Sequence, residues 1–133
     1  MRIVTAIGDA KLNEELKKDN FYKVLGTDIQ YQEGIFETLE KNKDANYLIL
    51  NLNLDGELTY GELTEEILDK YKELKIIYVV EREDREIIDF LVAKKIRNII
   101  LKKDLDKDKI NNIIKNKQED FISKKKVMII IKK

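Results

Sequence analysis

Tyr47-Leu48-Ile49-Leu50-Asn51-Leu52-Asn53-Leu54-Asp55-Gly56 is the stretch on which the fold of the whole chain turns. Four consecutive apolar residues predict a strand, and Asp55-Gly56 predicts the turn and polar loop that follow. Asn51 therefore stands at the carboxyl end of a strand. Its carboxamide has nearly the shape of a carboxylate but carries no anionic oxygen. It can neither attack phosphorus nor help to hold a divalent cation by charge.

Strand and helix patterns alternate on either side of this segment. Upstream, residues 2–7 form a β-branched run closed by Gly8, and Leu12 and Leu16 then recur at helical spacing until Asn20. Residues 21–25 read as a second strand closed by Gly26, and Ile35, Phe36 and Leu39 place an apolar stripe on a helix over residues 32–41. Downstream, a helix over residues 60–74 turns Leu63, Ile67, Leu68 and Tyr71 inward. Ile76-Ile77-Tyr78-Val79-Val80 is a strand covered on both faces, expected at the centre of a parallel sheet. Asp84 can cap the next helix, whose Ile87, Ile88, Leu91 and Val92 face inward. Ile99-Ile100-Leu101 makes a fifth strand, and a last helix over about residues 106–116 uses Ile110, Ile113 and Ile114. Five strands alternating with five helices imply right-handed crossovers. The expected fold is α/β and flavodoxin-like, a doubly wound five-stranded parallel sheet in the order 2-1-3-4-5 between two helical layers.

Composition narrows the chemistry. A chain of 133 residues that is 43% hydrophobic accommodates one domain, expected over residues 1–117, and a basic linker or tail over 118–133. Without Cys there is no disulfide, thiolate metal site or thiol nucleophile, and without His the commonest metal ligand and proton shuttle is absent. Ser123 is the only serine, which leaves no Ser-His-Asp arrangement. No apolar stretch approaches the roughly 20 residues needed to cross a bilayer. The opening Met1-Arg2-Ile3-Val4-Thr5 reads as a strand rather than a signal peptide. A cytoplasmic protein with no membrane contact is expected.

Charge balances overall, with 26 residues of each sign, but not locally. Residues 102–133 hold eleven lysines against five acids, which leaves fifteen basic and twenty-one acidic side chains in the first 101 residues. The lysines alternate with Asp104, Asp106 and Asp108, and there is no Trp to stack on bases. Nucleic acid is therefore not expected as a partner, and the basic segment reads as a solvated helix face and linker.

The segment Asn51 to Gly56 resembles the Asp-x-x-Leu-Pro-Gly signature of two-component receiver domains, in which the leading Asp accepts a phosphoryl group. Asn98-Ile99-Ile100-Leu101-Lys102 aligns Lys102 with the phosphate-contacting lysine of that family. The other marks depart from the pattern. The resemblance places Ile7 and Gly8 where two magnesium-binding acids belong, with Asp9 one position late as a lone ligand or as the cap of the first helix. Val80 takes the place of the hydroxyl residue, with Glu81 behind it, and Lys103 replaces the proline after the lysine. A cis bond without proline costs about 2.5 to 4 kcal/mol, so Lys102-Lys103 is expected trans in a reshaped loop. What remains is a degenerate phosphoacceptor pocket of Asn51, Asp9, Val80 and Lys102, with no catalytic group, metal or cofactor and no enzyme activity expected.

More narrowly, Ile3-Val4-Thr5-Ala6-Ile7-Gly8 and Asp28-Ile29-Gln30-Tyr31-Gln32-Glu33-Gly34 resemble the amino-terminal domain of clostridial Tad/Cpa-type ATPases. Those proteins join an atypical receiver to a MinD/ParA-like ATPase domain. The resemblance implies a phosphorylation-independent docking or dimerisation module, a homodimer, and an ATPase domain in the same or a neighbouring chain. Val127-Met128-Ile129-Ile130-Ile131 is read either as the first strand of such a domain or as an edge or swapped element. There is no Gly-x-x-x-x-Gly-Lys-Ser/Thr motif, so this stretch alone is not expected to bind ATP through one. The alternative function is a switch that responds to a small ligand or anion between Asn51, Asp9 and Lys102.

Two aromatic residues are candidate interface groups. Tyr31 either belongs to a polar recognition loop or packs on the core while Gln32 and Glu33 open the helix. Phe90 lies off the inward stripe of its helix, where it suits an interface or the edge of the core.

Overall fold

A computed structural model of the chain describes residues 1–115. The expected domain end at residue 117, the linker and the apolar run 127–131 lie outside the described residues. In chain order the elements are β1 (Arg2–Ala6), α1 (Ala10–Lys18), β2 (Lys23–Val24), α2 (Gln32–Lys41), β3 (Tyr47–Asn51) and α3 (Tyr60–Lys70). β4 (Lys75–Val80), α4 (Arg85–Ala93), β5 (Asn98–Leu101), a 3-10 turn (Lys102–Asp104) and α5 (Lys107–Ile114) complete the set. The strands form one five-stranded parallel sheet in the order β2-β1-β3-β4-β5, the flavodoxin-like winding expected. The middle strand is β3, not β4. A continuous apolar run marks a strand covered on both faces, and that does not select the middle position in the sheet. The chain divides into two compact units, one over Met1–Ile76 and one beginning at Ile77.

In the first unit β1 and β3 pair from Ile3 against Tyr47 to Ala6 against Leu50. Ile3, Val4, Ala6, Leu48, Ile49 and Leu50 are fully buried. Thr5 is buried among them because its hydroxyl donates to Asn13 Oδ1 at 2.8 Å, which removes the penalty of an unpaired polar group. β2 is much shorter than its apolar run. Asp19 turns the chain there: its carbonyl accepts from the Tyr22 amide at 3.0 Å and its carboxylate from the Phe21 amide at 2.9 Å. α3 opens on a capping box between Thr59 and Glu62. It stops at Lys70, short of Leu74, because Tyr71 leaves helical geometry and the Leu74 amide bonds back to the Tyr71 carbonyl at 3.2 Å. Leu68 and Tyr71, expected inward, are only half-buried, while Leu63 and Ile67 are fully packed.

In the second unit β4 and β5 pair from Ile77 against Asn98 to Val80 against Leu101. Asp84 caps α4 through Oδ1, which accepts from the amides of Glu86 at 3.0 Å and Ile87 at 3.4 Å. Ile88 and Leu91 are buried and Ile87 is half-buried, but Val92, expected inward, is exposed. The helix end explains the difference. The Ile96 amide bonds to Leu91 O at 3.0 Å and the Lys95 amide to Val92 O at 2.9 Å, a Schellman closure that folds buried Ile96 back toward Leu91. Lys95 carries φ 64°, a left-handed conformation that glycine usually fills. Lys102-Lys103 is trans, and the backbone enters the 3-10 turn directly after β5. Asp106 caps α5 through the Lys109 amide at 2.8 Å, and Ile110, Ile113 and Ile114 are buried as expected.

Candidate functional site

Chemistry in a doubly wound sheet gathers where the strands end at their carboxyl side. In the first unit those ends are the residues after β1 and β3. Asn51 is half-buried, and its Oδ1 accepts the Asn53 amide at 2.9 Å. That is an Asx turn, the local bond by which Asn starts a loop. Asp9 has extended backbone geometry, and its Oδ1 accepts the Leu12 amide at 3.0 Å, so it is the N-cap of α1. Ile7 is buried.

An acid not singled out by the sequence reading lies against the end of β1. Asp28 Oδ1 accepts the Ile7 amide at 2.9 Å, and Oδ2 accepts the Gly8 amide at 2.8 Å. Gly8 at φ 66° turns the two successive N–H groups toward one carboxylate, a small anion-binding concavity made of backbone. Gln30 Nε2 adds a longer bond to Asp28 Oδ2 at 3.3 Å. The available signal was topological: in the expected strand order the ends of β1 and β2 are neighbours, so an acid just after Gly26 can reach the β1 loop.

The same loop carries Tyr31 and Gln32. Tyr31 is 61% exposed and makes no side-chain cap bond, so it does not pack on the core. Gln32 is buried. Its Nε2 donates to Leu58 O at 2.9 Å and Leu54 O at 3.4 Å, and its Oε1 accepts the Leu58 amide at 2.9 Å. The Gln32 amide also donates to Asp55 O at 2.8 Å, and Tyr31 and Asp55 form a parallel bridge. Gln32 thus does more than open α2: it fixes the loop after β3.

In the second unit Val80 ends β4 buried, and its side chain offers no hydroxyl. Lys102 lies in the 3-10 turn, its Nζ 3.4 Å from Glu81 Oε1. Both side chains are about half exposed, 55% and 48%. Phe90 is half-buried on α4, with the Lys94 ammonium 5.7 Å from its ring centroid. Among the described residues no three His, Cys, Asp or Glu side chains gather as a metal site, and no helix is long and apolar enough to cross a membrane.

No protein-family model matches the chain, and no curated protein matches it. Solved structures do. The isolated receiver domain of RcsB from Salmonella enterica serovar Typhimurium, with a phosphomimetic beryllium fluoride, is 21% identical over 90% of both chains with a TM-score of 0.73. The signal receiver domain of a modulated diguanylate cyclase from Desulfovibrio desulfuricans G20 is 20% identical over 96% of this chain and 95% of its own, with a TM-score of 0.68. A longer Salmonella typhimurium RcsB response regulator, described for its interaction with DNA, is 21% identical over 77% of this chain with a TM-score of 0.69. This chain spans about half of that protein, 54%. The fold is that of the receiver domains of response regulators. The expectation against a nucleic-acid partner finds no support in these neighbours.

Proposed function

We propose that this chain is a receiver-fold interaction module that works without phosphorylation, dimerising or docking in the service of a MinD/ParA-like ATPase. The observation that carries the reading is the state of Asn51: a neutral carboxamide stands at the acceptor position and is engaged in its own loop turn. The other strand-end groups have structural employment too. Asp9 caps a helix, Lys102 faces Glu81, and Val80 is a buried aliphatic. The ATPase context rests on the resemblance of residues 3–8 and 28–34 alone. The exposed Tyr31 and the α4 surface with Phe90 and exposed Val92 are the proposed contact surfaces.

The alternative, a switch that takes a small ligand or anion beside Asn51, has less support because Asp28 already fills the amide pair at the end of β1. The test is to incubate the full chain with acetyl phosphate and magnesium and to follow intact mass and light scattering. The expected result is no added phosphoryl group and a homodimer in both conditions, weakened by Tyr31→Ala or Phe90→Ala. A phosphorylated species, or a monomer that dimerises only after acetyl phosphate, would overturn the reading.

A further inference from the structure

A cleft of about 280 Å³ opens in the first unit, between the last turns of α2 and α3 and the turns that lead into β3 and β4. Its volume is just below the small end of ordinary ligand cavities, roughly 300 to 1,000 Å³, which admits a compact molecule and not a nucleotide. Leu39 and Leu74, both buried, provide apolar lining. On the wall, the Tyr71 phenol donates to Glu40 Oε2 at 2.8 Å. This bond and the nearby Lys43 hold the Glu40 carboxyl below its ordinary range, while burial and then Glu40 push the Tyr71 phenol up to about 12. The pair therefore stays a carboxylate and a neutral phenol across the physiological range.

The charges around it are mixed in a way that selects a ligand class. Glu40 and Glu73 line the cleft beside the carboxyl ends of α2 and α3, whose dipoles favour a cation, and together they suit an ammonium group. Lys43, Lys70 and Lys72 line the cleft as well; Lys43 Nζ lies 3.7 Å from Glu40 Oε1 and Lys70 Nζ 3.8 Å from Glu66 Oε1, and Lys72 suits a carboxylate. A simple anion would face the helix ends, and a simple amine would face the lysines. We propose that this cleft binds a small amphipathic zwitterion of amino-acid size. Its ammonium lies on the Glu40–Tyr71 pair, its carboxylate on Lys72, and its apolar part against Leu39 and Leu74. This inference is independent of what happens at Asn51.

The full chain is titrated with L-phenylalanine and L-leucine, and with phenylpropionate and phenethylamine as probes lacking one charge each, by thermal shift and equilibrium dialysis. Saturable binding of one amino acid with a rise in Tm is expected, with each one-charge probe about tenfold weaker. Glu40→Gln and Tyr71→Phe are each expected to weaken binding about tenfold, while Lys109→Ala, far along the chain on α5, leaves it unchanged. Failure of both amino acids to saturate at millimolar concentration overturns the proposal. So does binding that neither Glu40→Gln nor Tyr71→Phe alters.

Discussion

The side chain of Gln32 lies so close to Gly56 that a β-carbon at position 56 would collide with its carboxamide. Gly56 is therefore required by a close approach, and its φ is not in the left-handed region. Gly56→Ala is expected to destabilise the fold by about 1 to 3 kcal/mol. Gln32→Ala removes the collision along with the hydrogen bonds to Leu54 and Leu58. Adding Gly56→Ala to Gln32→Ala should then cost clearly less than it does alone, a coupling of roughly 0.5 to 3 kcal/mol in a double-mutant cycle by urea denaturation. Additive effects would deny the contact.

Asp28 gives a second comparison. Its carboxylate accepts two amides, each a charge-assisted bond, whereas Asp9 serves one helix cap. Asp28→Ala is expected to lower stability by about 1.5 to 3 kcal/mol and Asp9→Ala by about 1 kcal/mol. Urea midpoints in the reverse order would remove Asp28 from its central place in the β1 loop.

Lys95 closes α4 in a left-handed conformation that costs a side-chain residue about 1 to 2 kcal/mol. Lys95→Gly relieves this without touching the Ile96–Leu91 bond, which is made by backbone. A gain of about 1 kcal/mol is expected from thermal or urea unfolding. A loss would mean that the lysine side chain itself holds the turn.

Tyr22 sets an alkaline limit. Burial, then the charges of Asp19 and Tyr47, push its phenol up to about 12 from 10.0. The unfolded chain loses this proton first, so the contribution is fully present below pH about 10 and is lost as pH rises through about 12. Stability should fall across that window by at most about 1.4 kcal/mol per pH unit for this group, and the fall should be shallower in Tyr22→Phe. Tyrosinate absorbance that develops fully near pH 10 in the folded protein would contradict it.

Most strands and helices were legible because their signal is local and periodic. Ile35 and Leu39, or Ile110, Ile113 and Ile114, mark a buried stripe wherever the rest of the chain lies. The misplaced features depended on specific bonds. Asp19 shortened β2, Tyr71 ended α3 early, and the Ile96 closure left Val92 outside. At the candidate site the neutral carboxamide of Asn51 at a strand end could be read directly from the sequence. Asp28 could not, because its partners are backbone amides 20 and 21 residues away that no side-chain pattern reports. Gly56 was visible as a turn signal, but the reason for it lies in Gln32.

The proposed loss of phosphoryl acceptance rests on residues at several strand ends and not on one residue. Asn51→Asp places a carboxylate at the end of β3 while Ile7, Gly8, Val80 and the Lys102–Glu81 pair stay as they are. Intact-mass measurement of this variant after incubation with acetyl phosphate and magnesium is the most direct test. The account predicts no phosphoryl adduct, and a stoichiometric adduct at Asp in place of Asn51 would contradict it.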